Sequence, residues 1–392
     1  MMRLSLVFLC VAAAVPACLA QSYLVGTFTN RSKDPNLDWV GESLSEATRD
    51  ALAASGISVA TREDREEAVR RLALRPSSQL TLASLTKLGA ELEAQRLVYG
   101  RFDVVPDRDA PSSRGRIRVL ARVLNLTDAV PLTEFVVTGL LEDLGAVRGD
   151  LAWQVLRWAQ PSSTLSREQF RERHPPVKVN ALEYYIRGLI APTAESAHRL
   201  LTQAARLDPT FSAPRFHLGR MHFEKENYRE AASWLEMVPS ADPRYIEANF
   251  LLGLCSYELS EFAASRRAFE KVAAAVPAAE VWNNLGAADA RLNRPEALEY
   301  FEKARKADSK DPDYHFNAGY VLWKRGSFDE AAERFSAVLD RTQDDEDAIV
   351  LLERCRNRVG PRRGEVRTEG LERLKDSYSE PAAKPASTAS VR

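Results

Sequence analysis

The sequence predicts an α+β amino-terminal domain, a small mixed sheet with helices, followed by an all-α superhelix of repeated helix pairs. Two observations carry this prediction. In residues 116–124, arginines alternate with Ile, Val and Ala, which is the period of a half-exposed strand. From residue 180 onward the chain repeats with a period of about 34 residues, a length typical of stacked helix pairs.

The overall charge is balanced. The 392 residues include 54 Lys and Arg and 55 Asp and Glu, which gives a formal net charge of −1. A protein covered by a phosphate-binding surface would carry a large positive excess. We therefore expect no nucleic-acid partner.

Residues 1–20 are typical of a signal peptide. Arg3 precedes an apolar run over residues 4–15, Pro16 breaks the run, and small residues lead to Ala20. The run is shorter than the ~20 residues that a membrane-spanning helix needs. We expect export to the periplasm or the medium.

Two cleavage chemistries remain open at this leader. Ordinary cleavage after Ala20 would leave Gln21 as the first residue. Residues 15–18 (Val-Pro-Ala-Cys) also resemble a bacterial lipobox, in which Cys18 would be acylated and become the first residue of an outer-membrane lipoprotein. Contact with a membrane is expected only in that second case.

Residues 22–160 form the predicted α+β domain. Strands are expected at 22–28 and 57–60, with helices starting near residues 38, 61 and 82. Three further strands, at 96–104, 116–124 and 132–139, are expected to pair as a meander. A final helix places Leu144, Val147, Leu151 and Trp158 on one stripe.

Parts of this domain resemble a known family. Residues 25–39 (VGTFTNRSKDPNLDW), 97–102 (LVYGRF) and 118–125 (RVLARVLN) are similar to the amino-terminal domain of the periplasmic Tol-system translocation protein. The resemblance covers about 130 residues and implies a periplasmic interaction domain without catalytic residues. The propeller that follows in the Tol protein has no counterpart here.

After a polar, proline-broken linker at 161–179, residues 180–360 resemble tetratricopeptide repeats. Each copy should contain a glycine in its first helix, a small residue twelve positions later (eleven in the copy of Gly286, which is one residue short between its helices), and a large residue four beyond that. The glycines are Gly219, Gly253, Gly286 and Gly319; the small residues are Ala231, Ser265, Ala297 and Ala331; the large residues are Leu235, Phe269, Phe301 and Phe335. The resemblance implies a right-handed superhelix.

The end of the chain is predicted in two parts. Acidic residues 344–347 open a helix that ends in basic residues, which suits the helix dipole and a capping role up to residue 360. The remaining residues, 361–392, are rich in Pro, Ala and Ser towards their end and are predicted to be disordered.

The resemblance also predicts a binding surface, because the first helices of tetratricopeptide repeats line a concave face. On this register the groove residues are Arg220, Phe223, Phe250, Leu254, Tyr257, Asn283, Arg291, Phe316, Tyr320, Trp323 and Lys324. Aromatic residues and arginine dominate interface energetics. We expect Tyr320 and Trp323 to anchor a segment of another protein there, and Arg220 and Arg291 to orient it.

Nothing in the sequence indicates an enzyme. It contains no phosphate-binding glycine loop, metalloprotease motif, nucleophile elbow or paired-cysteine metal site, so no catalytic residue, cofactor or metal is predicted. Cys255 and Cys355 are expected to be buried as small hydrophobic residues.

The leading function is therefore an exported protein-binding scaffold of the bacterial cell envelope, with proteins or peptide segments as partners. Two alternatives are a lipoprotein that is a structural component of an envelope assembly, and a regulatory module for a partner signalling enzyme. The sequence leaves the oligomeric state open.

Overall fold

A computed structural model of the protein describes residues 21–74, 80–106, 114–362 and 368–379. The chain divides into two units, residues 1–176 and 177–392. The predicted signal peptide, including Cys18, lies outside the described residues. Within the described part of the chain, no helix has the length and apolar character needed to cross a membrane.

The amino-terminal unit contains a five-stranded mixed sheet. Its strands are β1 (Tyr23–Val25), β2 (Thr29–Asn30), β3 (Arg96–Val105), β4 (Arg116–Asn125) and β5 (Val130–Leu140). The order is β1-β3-β4-β5, and β1 and β2 both run parallel to β3, whereas β3, β4 and β5 form the predicted antiparallel meander. The strand expected at 57–60 is reduced to a single bridge between Val59 and Tyr23.

Strand β4 has one buried and one exposed face, as its alternation predicts. Ile117, Val119, Ala121 and Val123 are fully buried, whereas the arginines at 116, 118 and 122 are exposed. Arg122 pairs with Glu134 on β5 at 2.7 Å. The arginine stripe is therefore a solvated sheet face with a cross-strand ion pair.

Among the described residues of this unit, five α-helices accompany the sheet. They are α1 (Asp38–Ala54), α2 (Arg62–Arg71), α3 (Leu82–Glu91), α4 (Leu144–Ala159) and α5 (Arg167–Arg173). Helix α5 lies in the stretch predicted as a linker, residues 161–179, so that prediction was wrong for this part. Ser166 and Gln169 form a capping box at its start, and Arg171 pairs with Asp150 of α4 at 2.9 Å.

A buried ionic network ties α1 to α2. Glu42 of α1 accepts hydrogen bonds from Arg65 of α2 and from the Thr27 hydroxyl, the latter at 2.7 Å. Arg65 also donates to the Ser45 hydroxyl at 3.1 Å and is only 3% exposed. Burial alone would raise the pKa of Glu42, but Arg65 and Thr27 hold that pKa below its usual range.

The second unit is a succession of antiparallel helix pairs. Its helices are α6 (Val179–Leu189), α7 (Ala194–Leu207), α8 (Ala213–Phe223), α9 (Tyr228–Leu235), α10 (Tyr245–Glu258), α11 (Phe262–Ala275), α12 (Ala279–Arg291), α13 (Ala297–Ala307), α14 (Pro312–Lys324), α15 (Phe328–Leu339) and α16 (Glu346–Arg356). Each helix packs on the next, and α16 closes the end against α15. Asp345 caps α16 by accepting from the Ala348 amide at 3.0 Å.

The predicted repeat register has a direct physical basis in the packing. A Cβ atom on Gly253 would lie 2.7 Å from the Phe269 ring, closer than a real Cβ approaches. The same close approach joins Gly219 to Leu235 and Gly286 to Phe301. Glycine is required because the large residue of the second helix packs directly on the backbone of the first helix.

The two cysteines of the helical unit are buried in its core. Cys255 and Cys355 are 0% and 2% exposed, and both are free thiols. Burial raises the pKa of Cys255 to about 12 and that of Cys355 to about 11. Both therefore stay protonated at neutral pH, which confirms that they pack as small hydrophobic residues.

Candidate functional site: a groove that holds an extended segment

A stretch near the carboxyl end of the chain lies along the first helices of the later repeats. We call residues 368–379 the groove segment. Thr368 and Glu372 are 6% and 7% exposed, so this part of the predicted disordered tail is packed, and the prediction was wrong there. Residues 363–367 and 380–392 of that tail lie outside the described residues.

Three buried asparagines hold the backbone of the groove segment. Asn317 donates to the Arg373 carbonyl and accepts from the Arg373 amide, both at 2.8 Å. Asn284 does the same for Lys375, at 2.7 and 2.8 Å. Asn283 adds a second donor to the Arg373 carbonyl at 2.7 Å. We call Asn283, Asn284 and Asn317 the asparagine ladder.

The geometry of the ladder follows from the repeat. Asn284 and Asn317 each stand two residues before the glycine of their repeat, Gly286 and Gly319. Stacking of the repeats therefore places them at equivalent points of the first helices of adjacent repeats, α12 and α14. In an extended chain, the backbone groups of residues two apart face the same side. Consecutive repeats can therefore bind alternate residues of one extended segment.

The Glu372 side chain is fully buried among two cations and a phenol, a set that we call the Glu372 pocket. The Tyr257 hydroxyl donates to Oε2 at 3.3 Å. Arg291 Nη1 lies 3.8 Å from Oε2, and Lys324 Nζ lies 4.0 Å from Oε1. Burial, reinforced by the Glu372 charge, raises the pKa of Tyr257, which keeps the phenol protonated as a donor.

The opposite side of the groove carries three carboxylates, Asp311, Asp313 and Asp345, which we call the acidic edge. Arg373 makes a two-pronged contact with Asp345, at 2.7 and 2.8 Å. Lys375 Nζ lies 2.6 Å from Asp311 and 2.7 Å from Asp313. Burial raises the pKa of Asp345, but hydrogen bonds from Arg373 and from backbone amides outweigh this and leave the pKa below its usual range.

Apolar contacts extend along the whole segment. Leu371 packs on the core cluster that includes Tyr320, and the Tyr320 hydroxyl donates to the Thr368 carbonyl at 2.7 Å. Towards the other end, the Tyr378 ring lies 4.7 Å from that of Phe250. The segment thus runs from the last repeat back towards the middle of the array.

The structure brings most of the predicted groove residues together. Those that contact the groove segment are Phe250, Tyr257, Asn283, Arg291, Phe316, Tyr320 and Lys324. Phe223 and Leu254 line the cavity beside Glu372 and Leu374.

The two other predicted groove residues are placed differently. Arg220 lies 3.6 Å from Glu224 of its own helix. Trp323 is fully buried and donates its indole N–H to the Val359 carbonyl at 2.8 Å, so it packs between helices. Trp323 therefore stacks on Tyr320, with 5.9 Å between the ring centroids, instead of anchoring a ligand itself.

Sequence reasoning missed Asn284, Asn317 and the acidic edge. The signal was present, because asparagine occurs two positions before the glycine in two successive repeats. A polar residue at a buried helix position needs a hydrogen-bond partner. Because asparagine recurs at the repeat period, the two asparagines of successive repeats are expected to hydrogen-bond to one common segment.

Comparison with known protein families gives matches in the second unit, residues 177–392. Models of the family described as tetratricopeptide repeat match residues 193–248 and 287–346. Both regions are tetratricopeptide repeats. A search of curated proteins found no significant match.

Solved structures include similar chains. MamA (residues 41–end) from Desulfovibrio magneticus RS-1 is 23% identical, with 43% of this chain and 97% of that chain covered and a TM-score of 0.38. YrrB, described as a TPR protein with an unusual peptide-binding site, is 20% identical over 40% and 82%, with a TM-score of 0.36. The LpoB carboxy-terminal domain from Salmonella enterica is 16% identical over 31% and 82%, with a TM-score of 0.24.

Among the described residues, no cluster of three or more His, Cys, Asp or Glu side chains is arranged to hold a metal ion. The carboxylates of the acidic edge are instead paired with Arg373 and Lys375. Within the described residues, the groove makes hydrogen bonds and charge pairs with the groove segment.

Proposed function

We propose that this protein is a scaffold that binds an extended segment of a partner protein in its tetratricopeptide groove, and that it acts by binding and not by catalysis. The asparagine ladder is the observation that carries the proposal. Asn284 and Asn317 each satisfy both the amide and the carbonyl of one residue of an extended chain. This pairing recognises backbone, so segments of different sequence can use it.

The location of the scaffold is part of the same proposal. The charged start, short apolar run and small residues of positions 1–20 support export to the bacterial envelope. The similarity of residues 25–39 to a periplasmic Tol-system domain supports a second interaction site in the amino-terminal unit. Mass spectrometry of the native protein should find Gln21 or an acylated Cys18 as the first residue. An intact Met1 would contradict export in both forms.

Photo-crosslinking tests the binding proposal. A photoreactive amino acid replaces Lys324, an exposed residue at the groove, or Lys303, an exposed residue of α13, as the matched control. We expect adducts with a partner protein in cells from position 324 and none from position 303. Replacing Asn284 and Asn317 by Ala should remove the adducts at position 324, because the partner backbone loses its hydrogen bonds.

Equal adducts from positions 324 and 303 would contradict the proposal, since they would show contact without a preferred surface. Adducts at position 324 that persist after Asn284→Ala and Asn317→Ala would contradict backbone recognition by the ladder. Circular dichroism of each variant establishes that the helical unit remains folded.

A further inference from the structure

The groove selects side chains as well as backbone. Along an extended chain, successive side chains point to opposite sides. Glu372 points into the pocket formed by Tyr257, Arg291 and Lys324. The next residue, Arg373, points to the acidic edge and pairs with Asp313 and Asp345. The groove therefore binds an acidic and a basic side chain at adjacent positions of the segment.

The same alternation continues for two more residues. Leu374 packs with the buried apolar cluster around Leu254 and Leu285. Lys375 returns to the acidic edge, where it meets Asp311 and Asp313. The groove therefore recognises four consecutive positions in the order acidic, basic, apolar, basic.

One of these positions is filled imperfectly by the chain's own segment. The Oε1 atom of Glu372 is buried and accepts no hydrogen bond from the described residues, and Lys324 Nζ lies 4.0 Å from it. A buried carboxylate oxygen without a hydrogen bond weakens the complex that contains it. A partner whose acidic group reaches Lys324 or Arg291 more closely would bind this pocket better.

We propose that the groove segment is an internal ligand that closes the groove, and that the partner replacing it presents an extended acidic–basic–apolar–basic sequence like Glu372-Arg373-Leu374-Lys375. This proposal rests on the proposed function, because it specifies the ligand of the same groove. The occupied state is autoinhibited, and the partner binds by displacement.

The covalent link to the repeats favours binding of the internal ligand over binding of a free segment. The groove segment follows Arg362 after only five residues of chain. A ligand on such a short tether acts at an effective concentration on the order of millimolar. A free segment with the same contacts therefore competes poorly until the internal ligand is weakened.

The test uses the full chain and a fluorescent peptide with the sequence of residues 368–379, and it measures binding by fluorescence anisotropy. In Glu372→Arg, a third cation enters the pocket of Arg291 and Lys324 and should release the internal ligand. Glu369→Arg is the matched control, because Glu369 is exposed on the same segment. We expect Glu372→Arg to bind the peptide at least tenfold more tightly than wild type or Glu369→Arg.

A peptide that itself carries Glu372→Arg should not bind any of these proteins. A second variant, Arg373→Glu with Lys375→Glu, places acids against the acidic edge and should also open the groove. This second variant tests closure of the groove if Glu372→Arg does not fold. Equal peptide binding by wild type and both opened variants would overturn closure of the groove, and no binding by either folded variant would overturn the assigned ligand pattern.

Oligomeric state is a further outcome. A wild-type dimer that dissociates on Glu372→Arg would overturn the internal ligand, since the segment would then come from a second copy of the chain. The peptide-binding test and the test of the proposed function can also fail independently of each other. Peptide binding as expected, combined with no partner adducts at position 324, would retain the ligand pattern and reject the scaffold.

Discussion

Replacing Arg65 by Met is expected to lower the free energy of unfolding of the amino-terminal unit by about 3–5 kcal/mol, the usual cost of removing one partner of a buried ion pair, since Glu42 then keeps only Thr27 and the more distant Arg62, at 3.6 Å. Arg65 and Glu42 are 3% and 4% exposed, so water cannot substitute for the lost guanidinium. Amide exchange of the core residues of β4 measures the change, because such residues exchange through unfolding of the whole unit.

Two further variants separate the charge from the packing. Arg70→Met on the same helix removes an exposed ion pair with Glu67 and should cost at most about 1 kcal/mol. Adding Glu42→Leu to Arg65→Met should recover part of the loss, because the Glu42 carboxylate then no longer lies buried without Arg65. An equal effect of Arg65→Met and Arg70→Met would contradict the role assigned to the network.

Replacing both Asn284 and Asn317 by Ala is expected to release the groove segment. The four hydrogen bonds to the backbone of Arg373 and Lys375 are lost. At about 0.5–1.5 kcal/mol each, they are worth about 2–6 kcal/mol, which corresponds to a rise of about 30-fold or more in the released population. Trypsin cleavage after Arg373 and Lys375, identified by mass, should accelerate by a similar factor.

Asn249→Ala is the matched control for this measurement. Asn249 is a buried asparagine of α10 whose amide donates to the Tyr245 carbonyl of its own helix, at 2.8 Å. Its replacement should leave the cleavage rate near that of the wild type. Unchanged cleavage in a folded Asn284→Ala, Asn317→Ala variant would show that the ladder does not hold the segment.

The repeat register and the β-meander could be predicted from sequence because they depend on local periodicity. Each glycine of the first helix meets a large residue about sixteen positions later, so the pattern lies within one repeat. The alternation of β4 likewise lies within nine residues. Patterns of this kind are visible in the sequence wherever one face of an element is buried.

The groove segment could not be predicted in that way because its stability comes from distant partners. The hydrogen bonds between Asn284 and Lys375 join residues 91 positions apart. The composition of residues 361–392 is dominated by the polar and small residues near the end. An average over this range therefore gives little weight to the apolar residues Leu371, Leu374 and Tyr378. A short apolar pattern of this kind becomes ordered only when a groove of complementary charge is present.

Trp323 illustrates the corresponding limit on the binding surface. Its place in the repeat put it on the concave side, but position along a helix does not settle how deeply a large ring is buried. The structure covers it with Tyr320 and uses its N–H to satisfy the Val359 carbonyl. Asn284 and Asn317, which are polar and fully buried, each bind both the amide and the carbonyl of one residue of the groove segment.

Amide hydrogen exchange of Arg373 and Lys375 in the wild-type protein tests the central claim most directly. Each amide donates to an asparagine of the ladder at 2.8 Å, so both should exchange at least about 30-fold more slowly than in an unstructured chain. That protection should disappear in the Asn284→Ala, Asn317→Ala variant. Exchange of both wild-type amides at the unstructured rate, while the amides of α12 and α14 stay protected, would contradict the account.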